Sequence, residues 1–259
     1  MPRKPSPQLL EILKRWTGGS IKLIKNEHSK ARTDIVLERP DKKNCLSGTM
    51  MLELGEKVNQ VDSGVVVLSG EGTSFCSGAD LGIINDISTA RLGVEMYEYM
   101  SSVLRKLHKS DTLSVALIRG HCLGGATEIC SAADIRIAHI AFLQAKLGIV
   151  PSWGGADYLE RIMGRPNALY AMTTAKVMTA EEAHRLGYVS HVFHSDDEAE
   201  EYISSLTKNG AALTKAQKAM LQAVENNDEA EKKTILKKNW EGEVHRNNLN
   251  KQMKAVLKK

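Results

Sequence analysis

Two glycines in the segment "HCLGGATE", Gly124 and Gly125, follow the apolar run "LSVALIRG", and a glutamate, Glu128, comes three residues after the second of them. A second loop, "SFCSGADL", carries Ala79 and also follows an apolar run, "GVVVLSG". In a parallel α/β body, loops after the strand C-termini converge on one face. There the backbone N–H groups of Ala79 and Gly125 could meet at one point and form an oxyanion hole, in which loss of one donor typically lowers the rate by ~10²–10³. A helix starting near Gly125 adds partial positive charge at its N-terminus. The same residues also fit a plain turn, with Glu128 no more than a favourable partner of the helix dipole. "GEG" at Gly70 to Gly72 lacks the G-x-G-x-x-G spacing of dinucleotide sites, and no phosphate-cradling G-x-x-x-x-G-K-[ST] occurs. Cys45, Cys76, Cys122 and Cys130 form no C-x-x-C pair, and His191 and His194 complete no zinc pattern, so no metal is expected.

The elements that would position these loops are legible as alternating strands and helices. "TDIVLERP" reads as a strand stopped by Pro40. Ser47 can cap a helix through "GTMMLELGEKVNQV", with Met51, Leu54, Val58 and Val61 on one face. The strand "GVVVLSG" follows, then a helical region over about 83–108, the strand "LSVALIRG", a helix in "GGATEICSAAD" and a strand in "IRIAHI". This alternation implies a mostly parallel sheet with crossovers. After Pro151 the strand signal fades. Thr179 with Glu182 and Ser195 with Glu198 form capping-box patterns, and Gly187 and Gly210 suit helix stops. The chain then reads as helical to its end, and such amphipathic helices need an apolar partner surface, from the body or from another subunit.

Composition narrows the function classes. The 259 residues hold 35 Lys and Arg against 31 Asp and Glu, a formal charge of +4. This suits an anionic ligand without requiring nucleic acid. No apolar run approaches the ~20 residues of a membrane span. The segment "MPRKPSPQLLEILKRW" lacks the apolar core of a secretory signal and carries Glu11, which points to the cytosol and leaves a mitochondrial location open. The cysteine usage fits a reducing compartment.

Five segments in order, "LERPDKKNCLSGTMM", "GVVVLSGEGTSFCSGADL", "IRGHCLGGATEICSAADIRIA", "LGIVPSWGGADYLERIMG" and "MTAEEAHRLGYVSHVF", resemble the crotonase (enoyl-CoA hydratase/isomerase) superfamily over nearly the whole chain. Within it, "GGSI", "LSGTMM" and "GIVPSWGG" look most like the branch that decarboxylates malonyl-type thioesters. The resemblance implies an α/β spiral of ββα units followed by a C-terminal helical domain. Residues 1–19 would then be an N-terminal extension, 20–194 the core with the acyl-CoA site, and 195–259 a helical oligomerisation domain of a homotrimer or a pair of trimers. The implied ligand is an acyl-CoA thioester, with CoA as part of the substrate and no separate cofactor. Its carbonyl would sit between the N–H groups of Ala79 and Gly125, next to Gly124, and an enolate would be held there. Lys43, Cys45, Ser77, Asp80 and Leu81 match segments that line the CoA site in the family.

The side chains then select the reaction. Hydratases of the superfamily use two glutamates to hold and ionise a water. Glu128 matches the first, but the second position falls on Gln144, and an amide cannot exchange a proton as a carboxylate does. Isomerases commonly place a carboxylate at that second position too. Another of their positions falls on Ser152, and Asp157 is expected to face away. Decarboxylation needs no base: the departing carbon dioxide leaves its electrons in the thioester carbonyl, and one proton must reach carbon from Glu128 or from water. Trp153 could wall off the substrate carboxylate and exclude water, or serve only as a core residue. Gln144 stands where the decarboxylase branch carries a histidine, and could hydrogen-bond the substrate carboxylate. The alternatives are an enoyl-CoA hydratase or isomerase and, more remotely, a non-catalytic scaffold binding RNA or a protein, although the basic tail has no interleaved aromatics for base stacking.

Overall fold

The computed structural model describes residues 2–25, 31–138, 142–144, 150–240 and 242–256. Helix α1 (Pro7–Arg15) is followed by strands β1 (Ser20–Lys25) and β2 (Arg32–Glu38), helix α2 (Gly48–Asn59) and strand β3 (Val65–Gly70). Then come α3 (Leu81–Asp86), α4 (Ala90–Lys109), β4 (Leu113–Ile118), β5 (His121–Leu123), α5 (Gly125–Ala132), β6 (Ile135–Ala138) and β7 (Phe142–Gln144). The remainder is α6 (Gly155–Thr174), α7 (Ala180–Arg185), β8 (His191–Val192), α8 (Asp196–Thr207), α9 (Ala211–Glu225), α10 (Glu229–Trp240) and α11 (Glu243–Val256).

The main sheet has the order β1-β2-β3-β4-β6-β8. Among the described residues of this sheet the β1–β2 pair alone is antiparallel, and the later pairs are parallel. The β3 run "VVVL" is buried along its length because helices cover both faces, as parallel strands require. Side chains alternate between those faces. Val66, Leu68, Ala116 and Ile118 enter the main core with α2, α4 and α5. Val65, Val67, Val115, Leu117 and Ile137 meet Phe193 and the Ala199 and Ile203 face of α8.

After β2, β3, β4 and β6 the chain makes a second, short extended step. These steps pair in parallel: Leu46 with Ala79, Cys76 with Cys122, and β5 with β7. Strand, short strand, helix is therefore the repeating unit, and the repeats wind into a spiral with the short strands stacked beside the main sheet.

Several sequence expectations change in detail. The helical region over about 83–108 is two helices, because Thr89 caps α4 through a bond from the Leu92 amide and separates it from α3. The strand expected in "IRIAHI" is described only to Ala138. The segment expected as an N-terminal extension carries α1, whose Leu9, Ile12 and Leu13 are part of the core. The helical stretch after Gly210 divides into α9, α10 and α11. Helix α9 is docked on the body by Lys218, buried at 5% exposure, whose Nζ lies 2.8 Å from the Thr112 carbonyl and 2.8 Å from Asp134 Oδ2. Along α9, α10 and α11, Leu221, Val224, Leu236, Trp240, Leu249 and Met253 stay exposed.

Candidate active site

The stacked short strands bring the two glycine loops together. Leu46 donates its amide to the Gly78 carbonyl at 2.8 Å and accepts from the Asp80 amide at 3.0 Å. In a parallel ladder the residue between those two bonds, Ala79, turns its own N–H and C=O to the opposite edge. On that edge runs the Leu123–Gly125 segment: a Cβ added to Gly78 would fall 2.8 Å from the Leu123 carbonyl oxygen and 3.5 Å from the Gly125 nitrogen. Gly125 is the first residue of α5, where amides have no partner within the helix. Gly124 makes this entrance with φ 55° and ψ −126°, a conformation open in practice only to glycine. Ala79, Gly124 and Gly125 all line one cavity of about 690 Å³.

Glu128 also lines this cavity, with its carboxylate committed to the backbone. It is 5% exposed, and it accepts from the Ser152 amide at 3.0 Å, the Trp153 amide at 2.7 Å and the Gly155 amide at 2.8 Å. These amides belong to the turn that opens α6. Burial pushes the Glu128 carboxyl above the ordinary glutamate value, and the three amides act in the opposite direction. Trp153 is 2% exposed and packs directly on the glycine entrance, its ring where a Gly125 side chain would be. Trp153 is a buried core tryptophan that also lines the cavity.

The cavity mouth is built by the turn before α2 and by α3. Asp80 caps α3, its Oδ1 accepting from the Gly82 amide at 3.1 Å, while its Oδ2 pairs with Arg39 at 2.9 Å. Trp16 holds α3 from behind: its Nε1 donates to Asp86 Oδ2 at 2.9 Å, and its ring occupies the space a side chain at Gly82 would need. Leu81, Ser77 and Cys45 line the cavity at this end. Burial pushes the Cys45 thiol up, against the opposing pull of nearby Arg39. Lys43 is not part of this lining. Its left-handed backbone (φ 50°) turns the side chain outward, to 3.2 Å from His121 Nε2, and the neighbouring Lys42 lines the mouth instead.

Gln144 is described only in its backbone, which pairs with Leu123 at the end of β5; its side chain lies outside the described residues. Asp157 is exposed on α6 and does not line the cavity. The largest part that residue patterns missed is the apolar end, formed by Met163, Ala171 and Met172 of α6 with Met178 and Tyr188. Helix α6 breaks at Gly164 (φ 70°, ψ 158°) just before Pro166, so its second half folds across the cavity. Gly164 and Pro166 signalled the break in the sequence, but not which way the helix would turn.

The family model for enoyl-CoA hydratase/isomerase matches residues 27–259. The chain belongs to the enoyl-CoA hydratase/isomerase family. It is 33% identical to ethylmalonyl-CoA decarboxylase of Xenopus tropicalis over 228 residues, covering 83% of this chain and 75% of that one. With ethylmalonyl-CoA decarboxylase of Gallus gallus the identity is 35% over 225 residues, covering 82% and 75%. Among solved structures, an enoyl-CoA hydratase from Thermoplasma volcanium superposes with a TM-score of 0.81 at 25% identity, covering 89% of this chain and 96% of that one. A protein assigned as an enoyl-CoA hydratase from Thermobifida fusca, solved with acetoacetyl-CoA, superposes with a TM-score of 0.71 at 25% identity, covering 96% and 100%. The spiral of ββα units is thus the crotonase fold, and the family is one of acyl-CoA enzymes.

Proposed function

We propose that this chain decarboxylates a malonyl-type acyl-CoA thioester, with ethylmalonyl-CoA and methylmalonyl-CoA as its substrates. The observation that supports this reading is one cavity lined by both glycine loops, with Ala79 from one and Gly125 from the other, in which neither carboxylate of the described lining residues is free for proton exchange. Glu128 is held by three amides and Asp80 by Arg39 and the α3 amide. Among the described lining residues the only acid besides Glu128 is Asp80, and its carboxylate is already paired with Arg39, so two-carboxylate hydration lacks a free second acid there. The names of the similar decarboxylases support the same choice.

In this mechanism the thioester oxygen lies between the Ala79 and Gly125 amides. The bond from the α-carbon to the carboxylate carbon breaks, carbon dioxide leaves, and the electron pair moves into the thioester to give an enolate. Its negative oxygen is stabilised by the two amides and by the N-terminal end of α5, all in place before the reaction begins. A proton then reaches the α-carbon. Trp153 and the apolar end of the cavity keep bulk water from the carboxylate, which favours its loss as neutral carbon dioxide. CoA enters as part of the substrate, and no metal or separate cofactor takes part.

The same proposal includes a homotrimer or pair of trimers in the cytosol, with the acyl-CoA site within residues 20–194 and residues 195–259 as the helical oligomerisation domain. The exposed apolar residues of α9–α11 support the oligomer. No helix among the described residues is long and apolar enough to cross a membrane. The test is incubation of purified protein with ethylmalonyl-CoA, methylmalonyl-CoA, the free diacids, crotonyl-CoA and a 3-enoyl-CoA. Carbon dioxide should come from the first two only, with butyryl-CoA forming from ethylmalonyl-CoA. Loss of the crotonyl-CoA absorbance without carbon dioxide release from the malonyl thioesters would replace this reading with hydration.

A further inference from the structure

We propose that Glu128 is a positioning residue: its ionised carboxylate gathers the amides of Ser152, Trp153 and Gly155, seats Trp153 on Gly125, and leaves the protonation of the enolate to water. The kinetic part of this inference rests on the decarboxylase reading; the positioning part does not.

A carboxylate offers about four lone-pair sites and a neutral carboxylic acid also carries an O–H that must donate. Three of the four sites on Glu128 are filled, at 2.7, 2.8 and 3.0 Å, all by donors. The one open site is the second lone pair of Oε1; a proton there would make that oxygen a hydroxyl, a weaker acceptor for the Ser152 amide than the ionised carboxylate. Two of the three donors come from Trp153 and Gly155, beside the N-terminus of α6, where the helix dipole favours an anion. Gly155 is shaped to this contact: an added Cβ would fall 2.6 Å from Glu128 Cγ and 2.9 Å from its Oε2.

The consequence reaches the reacting oxygen through Trp153. Glu128 anchors the Trp153 amide, and the Trp153 ring covers Gly125 so closely that a Cβ there would be 2.3 Å from Cζ3. The carboxylate therefore sets the wall against which the Gly125 amide is aimed. Among the described residues no charged side chain acts on Glu128. The buried or half-buried titratable groups on the elements around it include Cys130 of α5, Tyr188 in the cavity wall, and His108 and Tyr158 where α4 meets α6; Asp157, Glu160 and Arg161 of α6 are exposed, and Lys42, Cys45 and Asp80 lie in the cavity lining. Burial raises the Tyr188 and Tyr158 phenols and lowers the His108 imidazole, so none of these three gains charge near neutral pH.

Positioning and acid catalysis make opposite predictions. A positioning carboxylate must be ionised, so carbon dioxide release falls as pH drops and Glu128 takes up a proton. A proton-donating carboxyl must be protonated, so the rate falls as pH rises. The experiment combines the pH dependence of kcat for ethylmalonyl-CoA with amide hydrogen exchange over residues 150–156, in the full-length protein and in Glu128→Gln. The expected result is an acid limb in wild-type kcat, with protection of the Ser152, Trp153 and Gly155 amides lost over the same pH range. Glu128→Gln should lose that protection at all pH values, with kcat lowered ~10²-fold, the size of effect a 1 Å misplacement produces. An alkaline limb that disappears in Glu128→Gln would overturn the proposal. So would a variant that keeps full amide protection yet loses turnover. If wild type releases no carbon dioxide, the decarboxylase reading fails, and the exchange measurements on wild type across pH still decide whether Glu128 holds the three amides.

Discussion

The close approach of Trp153 to the Gly125 backbone makes Gly125→Ala the most informative single change. The new methyl carbon would lie 2.3, 2.4 and 2.7 Å from three carbons of the Trp153 ring. Ordinary carbon contacts are ~3.5–4.0 Å, so the ring must retreat by about 1 Å or more. It has little freedom to do so, because it is buried and its own backbone amide is tied to Glu128 at 2.7 Å. Overpacking of this kind costs about 1–3 kcal/mol. For a chain of this size each kcal/mol moves Tm by ~2–4 °C, so the expected fall is roughly 2–12 °C. Under the proposed oxyanion role of Gly125, the same displacement would tilt its amide away from the thioester oxygen, and a shift of about 1 Å at such a position lowers turnover ~10²-fold. Thermal unfolding measures the first effect and carbon dioxide release from ethylmalonyl-CoA the second. Trp153→Leu added to Gly125→Ala restores room for the methyl group. The double mutant should then be more stable than the sum of the single changes predicts, with a coupling of ~0.5–3 kcal/mol. Gly125→Ala with unaltered Tm and turnover, or a cycle with zero coupling, would refute the view that Trp153 shapes this donor.

Three other predictions rest on buried polar groups. Lys218→Ala leaves Asp134 without its cation and should lower stability by about 3 kcal/mol, at the lower end for a broken buried pair because Ser114 still donates to Asp134 twice; urea unfolding checks it. His108 is half-buried where α4 meets α6, and burial lowers its pKa, so the unfolded chain takes up the proton first as pH falls. Stability should therefore decline on lowering the pH below about 6.5, the ordinary histidine value, and decline less in His108→Gln, as read from urea midpoints at pH 5.5 to 8. Of the four thiols only Cys45 is not buried, and burial raises the pKa of Cys76 and Cys122, so a thiol reagent should titrate one group in the native protein and the other three after denaturation.

The strands were legible because each is a short, branched apolar run bounded by glycine, proline or polar turns, and β3 and β4 lie where "GVVVLSG" and "LSVALIRG" place them. A capping box marked the start of α7, and Ser195 marked the cap of α8, because Thr179 and Ser195 accept from amides only three residues away; Glu198 turns instead to the His194 amide. The boundary between α3 and α4 was not legible, since Ile83, Met96 and Tyr99 continue a helical pattern across a break that the Thr89 cap imposes. The apolar end of the cavity was hidden too, because Met163, Met172 and Met178 touch the cavity only through the bend at Gly164.

By itself the sequence determined the alternation of strand and helix, the two loops that hold Ala79 and Gly125, and the absence of an acid at Gln144. All of these are properties of residue type and short-range spacing. Tertiary structure alone decided where the two loops meet and what their neighbours touch. The parallel pairing of Leu46 with Ala79 turns one amide toward the other loop, and the start of α6, 24 to 27 residues beyond Glu128, captures its carboxylate. The turn at Lys43 likewise hands the cavity mouth to Lys42. The reason is directional: a hydrogen bond or a packed ring depends on where two distant segments meet and which way each faces, and spacing along the chain does not carry that information.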